Sequence, residues 1–368
     1  MTFISLEKSI KQSLLALVRL GIGHSVSFIP ETIDWEAIRA LASEQGLSAI
    51  VLDGAQALMD RGELVGGRVM DVKLKKHWIG SVIQNSEWKY NDYRKRLGQL
   101  AGLYNNHGFR LMVLKGYGLG LNYPRPEHRP CGDIDIWAFG EYKEADAMIS
   151  KELGISVNDS HHHHTTFSFK GYLVENHYDF VNVHYGHKNA ELEMIFKKLA
   201  DDDSLKTEID GQILYLPSPN LNALFLLRHT VLHFASTSMI LRQILDWGFF
   251  VKKYSAEIDW AWLMEILDEY HMDGFFACLN AICVDDLGFD AALFPLFQTD
   301  ERLKERVLND TLSPEFSEKQ PVGFMKRIQF KYRRWNANKW KQDLCYGDSR
   351  FWSFFVSFWS HVIKPSMI

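Results

Sequence analysis

The hydrophobic pattern of this chain changes period twice, and that change limits the fold more than any single motif does. Up to about residue 107, apolar residues recur at helical spacing. Ile10, Leu14, Leu15, Leu17, Val18 and Ile22 form one stripe, and 35–59 and 69–105 continue it with few turn residues inside. Between about 108 and 217 the runs shorten. Residues 110–114 and 134–139 are apolar and bounded by Gly or Pro, and 165–170 and 173–184 alternate as half-buried strands do. Pro217 and Pro219 mark the second boundary, and helical spacing returns through 220–234, 240–254, 260–270 and 275–287. Strands confined to the middle third predict an α+β fold. A small mixed sheet over 108–217 is expected between a helical region at 1–107 and another at 218–368.

Composition removes several classes of function. The 46% hydrophobic content suits a globular chain and is too high for a disordered one. With 41 Lys and Arg against 46 Asp and Glu, the formal charge is -5, so only a local patch could attract nucleic acid or an anionic membrane. Cys131, Cys278, Cys283 and Cys345 are too few for a disulfide framework and lack zinc spacing. They read as free buried thiols in a reducing compartment. The most apolar windows, 223–235 and 351–363, are broken by Arg228, His229 and His233 and by serines and His361. Neither reaches the ~18 apolar residues a membrane span needs. Glu7, Lys8, Lys11 and Arg19 interrupt the N-terminal stretch, and no small-residue cleavage site follows, which argues against a signal peptide. The expected location is cytoplasmic.

Chemistry concentrates in 110–137, RLMVLKGYGLGLNYPRPEHRPCGDIDIW, which reads as strand, glycine turn, loop, strand. Gly116, Gly118 and Gly120 let backbone approach a bulky group, because no Cβ intervenes. Asp133 and Asp135 are two apart, so on a strand they share a face. Like charges so placed repel unless a cation neutralises them, and a hard divalent ion, Mg²⁺ or Mn²⁺, suits oxygen ligands. Alone, an Asp-x-Asp is weak evidence, because such pairs are common on surfaces. Here the apolar Ile136-Trp137-Ala138 follows directly, so the pair sits on a strand entering the core, where unpaired charge is costly.

The order strand, glycine turn, acid-bearing strand resembles the DNA polymerase β-like nucleotidyltransferases. The closer resemblance is to their bacterial NTase_5-type branch. It rests on Leu114-Lys115-Gly116, Tyr123-Pro124, Arg129 and Gly132-Asp133-Ile134-Asp135-Ile136, and extends over roughly 95–270. It implies a third acid in a segment like Val174-Glu175-Asn176-His177-Tyr178, with Glu175 and His177 on one face. A rival register at 181–185 would put Asn182 in the acid's place. A later Leu/His-rich helix and an L-R-x-x-x-D run correspond to 224–233 and to Leu241, Arg242 and Asp246. The turn serine usual in the superfamily is missing, so phosphate contacts would fall to backbone amides at Gly116 and Gly118, to Lys115 or to Arg129. The resemblance implies metal-dependent transfer of an NMP from an NTP, ATP foremost, to an acceptor hydroxyl the sequence does not identify. Asp133, Asp135 and Glu175 would hold Mg²⁺ or Mn²⁺. A catalytically weak nucleotide-binding relative is the alternative.

Three further features are read more plainly. His161–164 is expected to be a polar loop, with a functional role near the substrate as the alternative, because four adjacent histidines cannot all face one ion and no Cys or HxxxH partner lies nearby in sequence. His229 and His233, at i and i+4 among apolar neighbours, read first as core histidines and second as metal ligands on one helix face, and Arg242 with Asp246 reads first as a structural helix pair and second as a pair facing the active site. Residues 325–342 carry seven Lys or Arg and no acid, interleaved with Phe330, Tyr332, Trp335 and Trp340, ahead of an aromatic run at 351–359. That segment reads first as a solvated helix and second as a binding surface for nucleic acid or membrane.

Overall fold

The structure, a computed structural model, describes residues 3–183, 187–202 and 205–346. Five helices come first: α1 (Phe3–Gly21), α2 (Trp35–Glu44), α3 (Ser48–Asp60), α4 (Val72–Val82) and α5 (Lys89–Asn106), the last two joined through a π-helical turn at Ile83–Trp88. Then follow β1 (Met112–Val113), the short α6 (Tyr117–Gly120), β2 (Ile134–Trp137), α7 (Tyr142–Leu153), β3 (His164–Phe169), β4 (Tyr172–His177), α8 (His187–Asp202), β5 (Leu205–Ile209) and β6 (Gln212–Leu216). The chain continues through α9 (Pro219–Ser236), α10 (Leu241–Tyr254), α11 (Trp260–Glu269), α12 (Asp273–Ala281), α13 (Glu301–Leu312), α14 (Phe324–Ala337) and α15 (Lys339–Cys345). This is an α+β fold.

Local chemistry sets many of these boundaries. Asp34, Asp71, Asp259 and Asp300 accept hydrogen bonds from the first-turn amides of α2, α4, α11 and α13. At α9 the Ser218 side chain caps and Pro219 occupies the first turn, where its missing N–H has no cost. The single helical stretch expected over 35–59 is two helices, because Gly46 turns left-handed at φ +68 between them. The strand expected over 173–184 stops at His177, and 187–202 is helical. Two strands went unread, although Asp210-Gly211 carries φ values of +50 and +82, the pattern of a primed hairpin turn.

The six strands form one mixed sheet in the order β3-β4-β2-β1-β6-β5. β1 runs antiparallel to β2 and parallel to β6, while β2 and β4 are parallel and pair Asp135 with Glu175. Side chains alternate across the sheet. Ile134, Ile136 and Val174 join Leu97, Leu100 and Tyr104 of α5 and Ala145 and Ile149 of α7 in one core. Trp137, Met112 and Leu114 face a second core, shared with Leu192 and Phe196 of α8 and with α9 and α10. Asp135 lies two residues from Trp137 and faces the second side.

That second core also takes in the N-terminal helices. Cβ atoms on Gly21 or Gly54 would collide with backbone of the facing helix, so α1 and α3 touch main chain to main chain. Arg19 Nη1 donates to Asp285 O at 2.9 Å, His24 Nδ1 meets Leu287 O at 2.8 Å, and Leu241 N donates to Gln45 Oε1 at 2.7 Å. The two helical regions thus pack on one another. All four cysteines are buried and free, and among the described residues no helix is long and apolar enough to cross a membrane.

Candidate active site

Lys115 lies two residues past β1, and the chain then turns at Gly116, whose φ of +53 disfavours any side chain. A Cβ there would also collide with the Tyr93 hydroxyl of α5. That hydroxyl donates to Asp133 O at 3.1 Å, so one tyrosine supports both the turn and the approach to β2. Gly118 serves a different purpose. Its missing Cβ would stand 2.9 Å from Leu216 Cδ2, so this glycine lets α6 close against β6 and looks away from the cavity. Gly118, expected at the nucleotide, is not among the residues that line the cavity.

The cavity, of about 340 Å³, lies between the Gly116 turn, the start of β2 and the helices α9 and α10. Asp133 and Asp135 both line it. Asp133 is exposed, one residue ahead of the strand, whereas Asp135 is only 3% exposed. Lys115 Nζ lies 2.7 Å and His177 Nε2 3.2 Å from Asp135 Oδ1. Burial alone would raise the Asp135 pKa, but the Lys115 ammonium and the His177 hydrogen bond reverse that and hold it well below the usual carboxylate range.

Glu175 sits opposite Asp135 in the β2–β4 register, and Asn182 lies beyond the end of β4, with residues 184–185 of the rival register outside the described residues. One oxygen of Asp135, one of Glu175 and a ring nitrogen of His177 lie within 4.8 Å of one another. Burial and then the Asp135 charge raise the Glu175 pKa. Beside them, His164 Nε2 approaches Glu175 Oε1 to 4.0 Å. Burial keeps His163 and His164 neutral, pulling their pKa values down to about 4 and about 3.

Arg129 is not free for phosphate. Its Nε and Nη2 reach Asp246 Oδ1 and Oδ2 at 2.7 and 2.9 Å, and its Nη1 donates to Gly116 O and Pro130 O. Tyr123 Oη also donates to Asp246, at 2.7 Å. The expected helix pair of Arg242 with Asp246 is therefore replaced. Both carboxylate oxygens of Asp246 are engaged by Arg129, and Arg242 turns along the cavity wall. There its Nη1 meets Pro130 O only at 3.5 Å and its Nε is buried with no hydrogen-bond partner. Arg242 is the under-committed guanidinium of the site, with Lys115 the nearby ammonium.

His229 and His233 also line the cavity rather than the apolar core, because α9 crosses it with that face. Burial holds both pKa values down, that of His229 well below the ordinary value. The i, i+4 spacing of the pair was the signal; what it faces is set by the tertiary packing of α9. The 325–342 segment turns partly inward. Phe330 and Lys341 are buried, Trp340 Nε1 donates to Glu315, and Arg333 pairs with Glu318 at 2.8 Å. Residues 351–359 lie outside the described residues.

No curated protein and no solved structure matches the chain. A family model described as uncharacterised nucleotidyltransferase matches residues 31–286. Since that match takes in α2 to α12, the whole sheet and every residue lining the cavity, the chain belongs to the uncharacterised nucleotidyltransferase family.

Proposed function

We propose that the protein is a metal-dependent nucleotidyltransferase that moves the NMP unit of an NTP, ATP foremost, onto an acceptor hydroxyl. The observation that carries the reading is the register of β2 and β4, which sets Asp135 against Glu175 on the cavity side of the sheet. The donor set fits a hard divalent cation: two facing carboxylates, one of them buried, with a third, Asp133, on the cavity rim. Asp133, Asp135 and Glu175 would hold Mg²⁺ or Mn²⁺. Such an ion, when bound, lowers the pKa of a hydroxyl and offsets charge on phosphate oxygens.

The chain's own residues do the rest. Lys115 neutralises Asp135 in the absence of other cations and, once released from it, is placed to meet phosphate as a point charge. Arg242 offers the buried Nε that has no other partner. Glu175, opposite Asp135 in the strand register, is placed to take the acceptor proton on a carboxylate oxygen. The acceptor oxygen then bonds to the α-phosphorus, the bond from that phosphorus to the bridging oxygen breaks, and pyrophosphate leaves. Orientation and charge stabilisation supply most of the rate in such chemistry.

The test is a thermal-shift screen of the four NTPs with Mg²⁺ or Mn²⁺, followed by pyrophosphate release. A nucleotide at 100 times its dissociation constant stabilises the fold by about 2.7 kcal/mol. Asp133→Asn should abolish most of that shift. Glu175→Gln should keep it and lose turnover, because its role falls in the transition state. An equal shift in Asp133→Asn and wild type removes the acid pair from the site.

A further inference from the structure

Two of the four adjacent histidines acquire a partner that their own segment lacks. His163 and His164 stand at the start of β3, and His177 ends β4. The antiparallel register sets His164 directly opposite His177. The His163 carbonyl accepts from the amides of Tyr178 and Asp179, at 3.0 and 3.1 Å, which fixes the entry to β3 against the exit from β4. Ring nitrogens of the three histidines lie within 4.8 Å of one another.

The hydrogen bonding of these rings is incomplete in the same way three times. The Nδ1 atoms of His163, His164 and His177 are buried and have no hydrogen-bond partner. His164 is 7% and His177 5% exposed. His177 Nε2 faces Asp135 Oδ1 at 3.2 Å and Glu175 Oε2 at 3.7 Å, so Nδ1 is the ring nitrogen left without a partner. A histidine that donates one N–H to a carboxylate and offers its other nitrogen is the arrangement that orients imidazole ligands on metals. Buried lone pairs without donors are costly, and a cation is the partner that satisfies several at once.

We infer that His163, His164 and His177 form a binding site for a late first-row divalent cation, Zn²⁺ by preference. Imidazole nitrogen favours such ions, and Mg²⁺ favours oxygen. The site is separate from the Asp133–Asp135–Glu175 set, although His177 touches both. Three protein ligands leave a coordination position open. A tetrahedral ion with bonds of about 2.0–2.1 Å spaces its ligands about 3.3 Å apart, so the rings draw together on loading.

The inference does not depend on nucleotidyl transfer, and its test uses no nucleotide. The intact protein, stripped of metal, is titrated with Co²⁺ alone and followed by visible absorption, then with Zn²⁺ alone by calorimetry. One tight equivalent should bind, with the intense d–d bands of a nitrogen-rich, low-coordinate site, and excess Mg²⁺ should not displace it. His163→Ala and His164→Gln should each weaken binding by about 100-fold, since even residues behind the ligands of metal sites change affinity 10–100-fold. His163 is half-buried and outside the carboxylate set, so His163→Ala keeps the test usable should His164→Gln fail to fold. Asp133→Asn should retain Co²⁺ binding while losing the Mg²⁺–NTP shift, which separates the two sites. Unchanged Co²⁺ affinity in both histidine variants, displacement by Mg²⁺, or the weak spectrum of an all-oxygen octahedral ion would overturn the proposal.

Discussion

Arg129 with Asp246 and Lys115 with Asp135 are both buried ion pairs beside the cavity. In the first, a planar guanidinium meets both carboxylate oxygens, and its remaining donor serves two backbone carbonyls. In the second, a flexible amine touches one oxygen at 2.7 Å and keeps 17% of its side chain exposed. The first joins the loop before β2 to α10 and engages every nitrogen of the guanidinium. The second holds the strand acid in its ionised form with a cation that another cation can replace. Both are Lys/Arg–Asp contacts, yet only the fork geometry of arginine makes a closed joint.

The largest effect expected from breaking this contrast is in Arg129→Ala. Removing one partner of a fully buried pair costs about 3–5 kcal/mol, because the remaining charge is left unsolvated. Urea unfolding should report that loss, and added Mg²⁺ should not recover it. A loss under about 1 kcal/mol would mean that solvent reaches Asp246 and that the joint is not closed.

A third buried carboxylate sharpens the comparison. Glu193 of α8 accepts from the amides of Phe180 and Val181 at 2.8 and 2.9 Å, but its cation, Lys197, stands 3.6 Å away. Burial prevails, and its pKa is pushed up to about 7 from an ordinary value near 4.5. A raised carboxyl pKa contributes stability that is fully present below pH 4.5 and lost as pH climbs through 7. That interval corresponds to about 3 kcal/mol. Glu193→Gln should flatten the fall in stability across it. Identical pH profiles for variant and wild type would show Glu193 to be ionised throughout.

The smallest effect is expected at Lys115. Lys115→Ala leaves Asp135 without its ammonium but beside His177 and an open cavity, so a loss of about 1–2 kcal/mol is expected, at the low end for an unpaired buried group. Mg²⁺ alone should restore stability to Lys115→Ala and not to Arg129→Ala. Equal losses in the two variants, or no rescue in either, would erase the distinction between the pairs.

The limits of sequence reading follow from the same residues. Helices α9, α10 and α11 were legible almost to the residue, because strong periodicity is a local property. The acid pair was legible as well, since alternation alone brings Asp133 and Asp135 to one face. Arg129 and Asp246 stand 117 positions apart, and only tertiary packing shows that this contact displaces the i, i+4 partner Arg242. His177 became a neighbour of His164 only through strand register. The β5–β6 hairpin was a different kind of miss. Its Asp210-Gly211 turn was in plain view, but no apolar alternation drew attention to it, because β5 and β6 are mostly half-exposed.

The docking of the N-terminal helices has a consequence for how the chain is made. Arg19 and His24 hydrogen-bond to carbonyls 266 and 263 positions later, and β1 pairs with β6 across roughly a hundred residues. During synthesis α1 leaves the ribosome long before α12 exists. Its apolar stripe, Leu14, Leu17 and Val18, must wait against α2 and α3 alone for most of translation. Folding of such a chain is slow for its size, since loop closure precedes the contacts that reward it. Until residue 287 is made, His24 lacks its carbonyl partner, and exposed apolar surface of that kind favours aggregation.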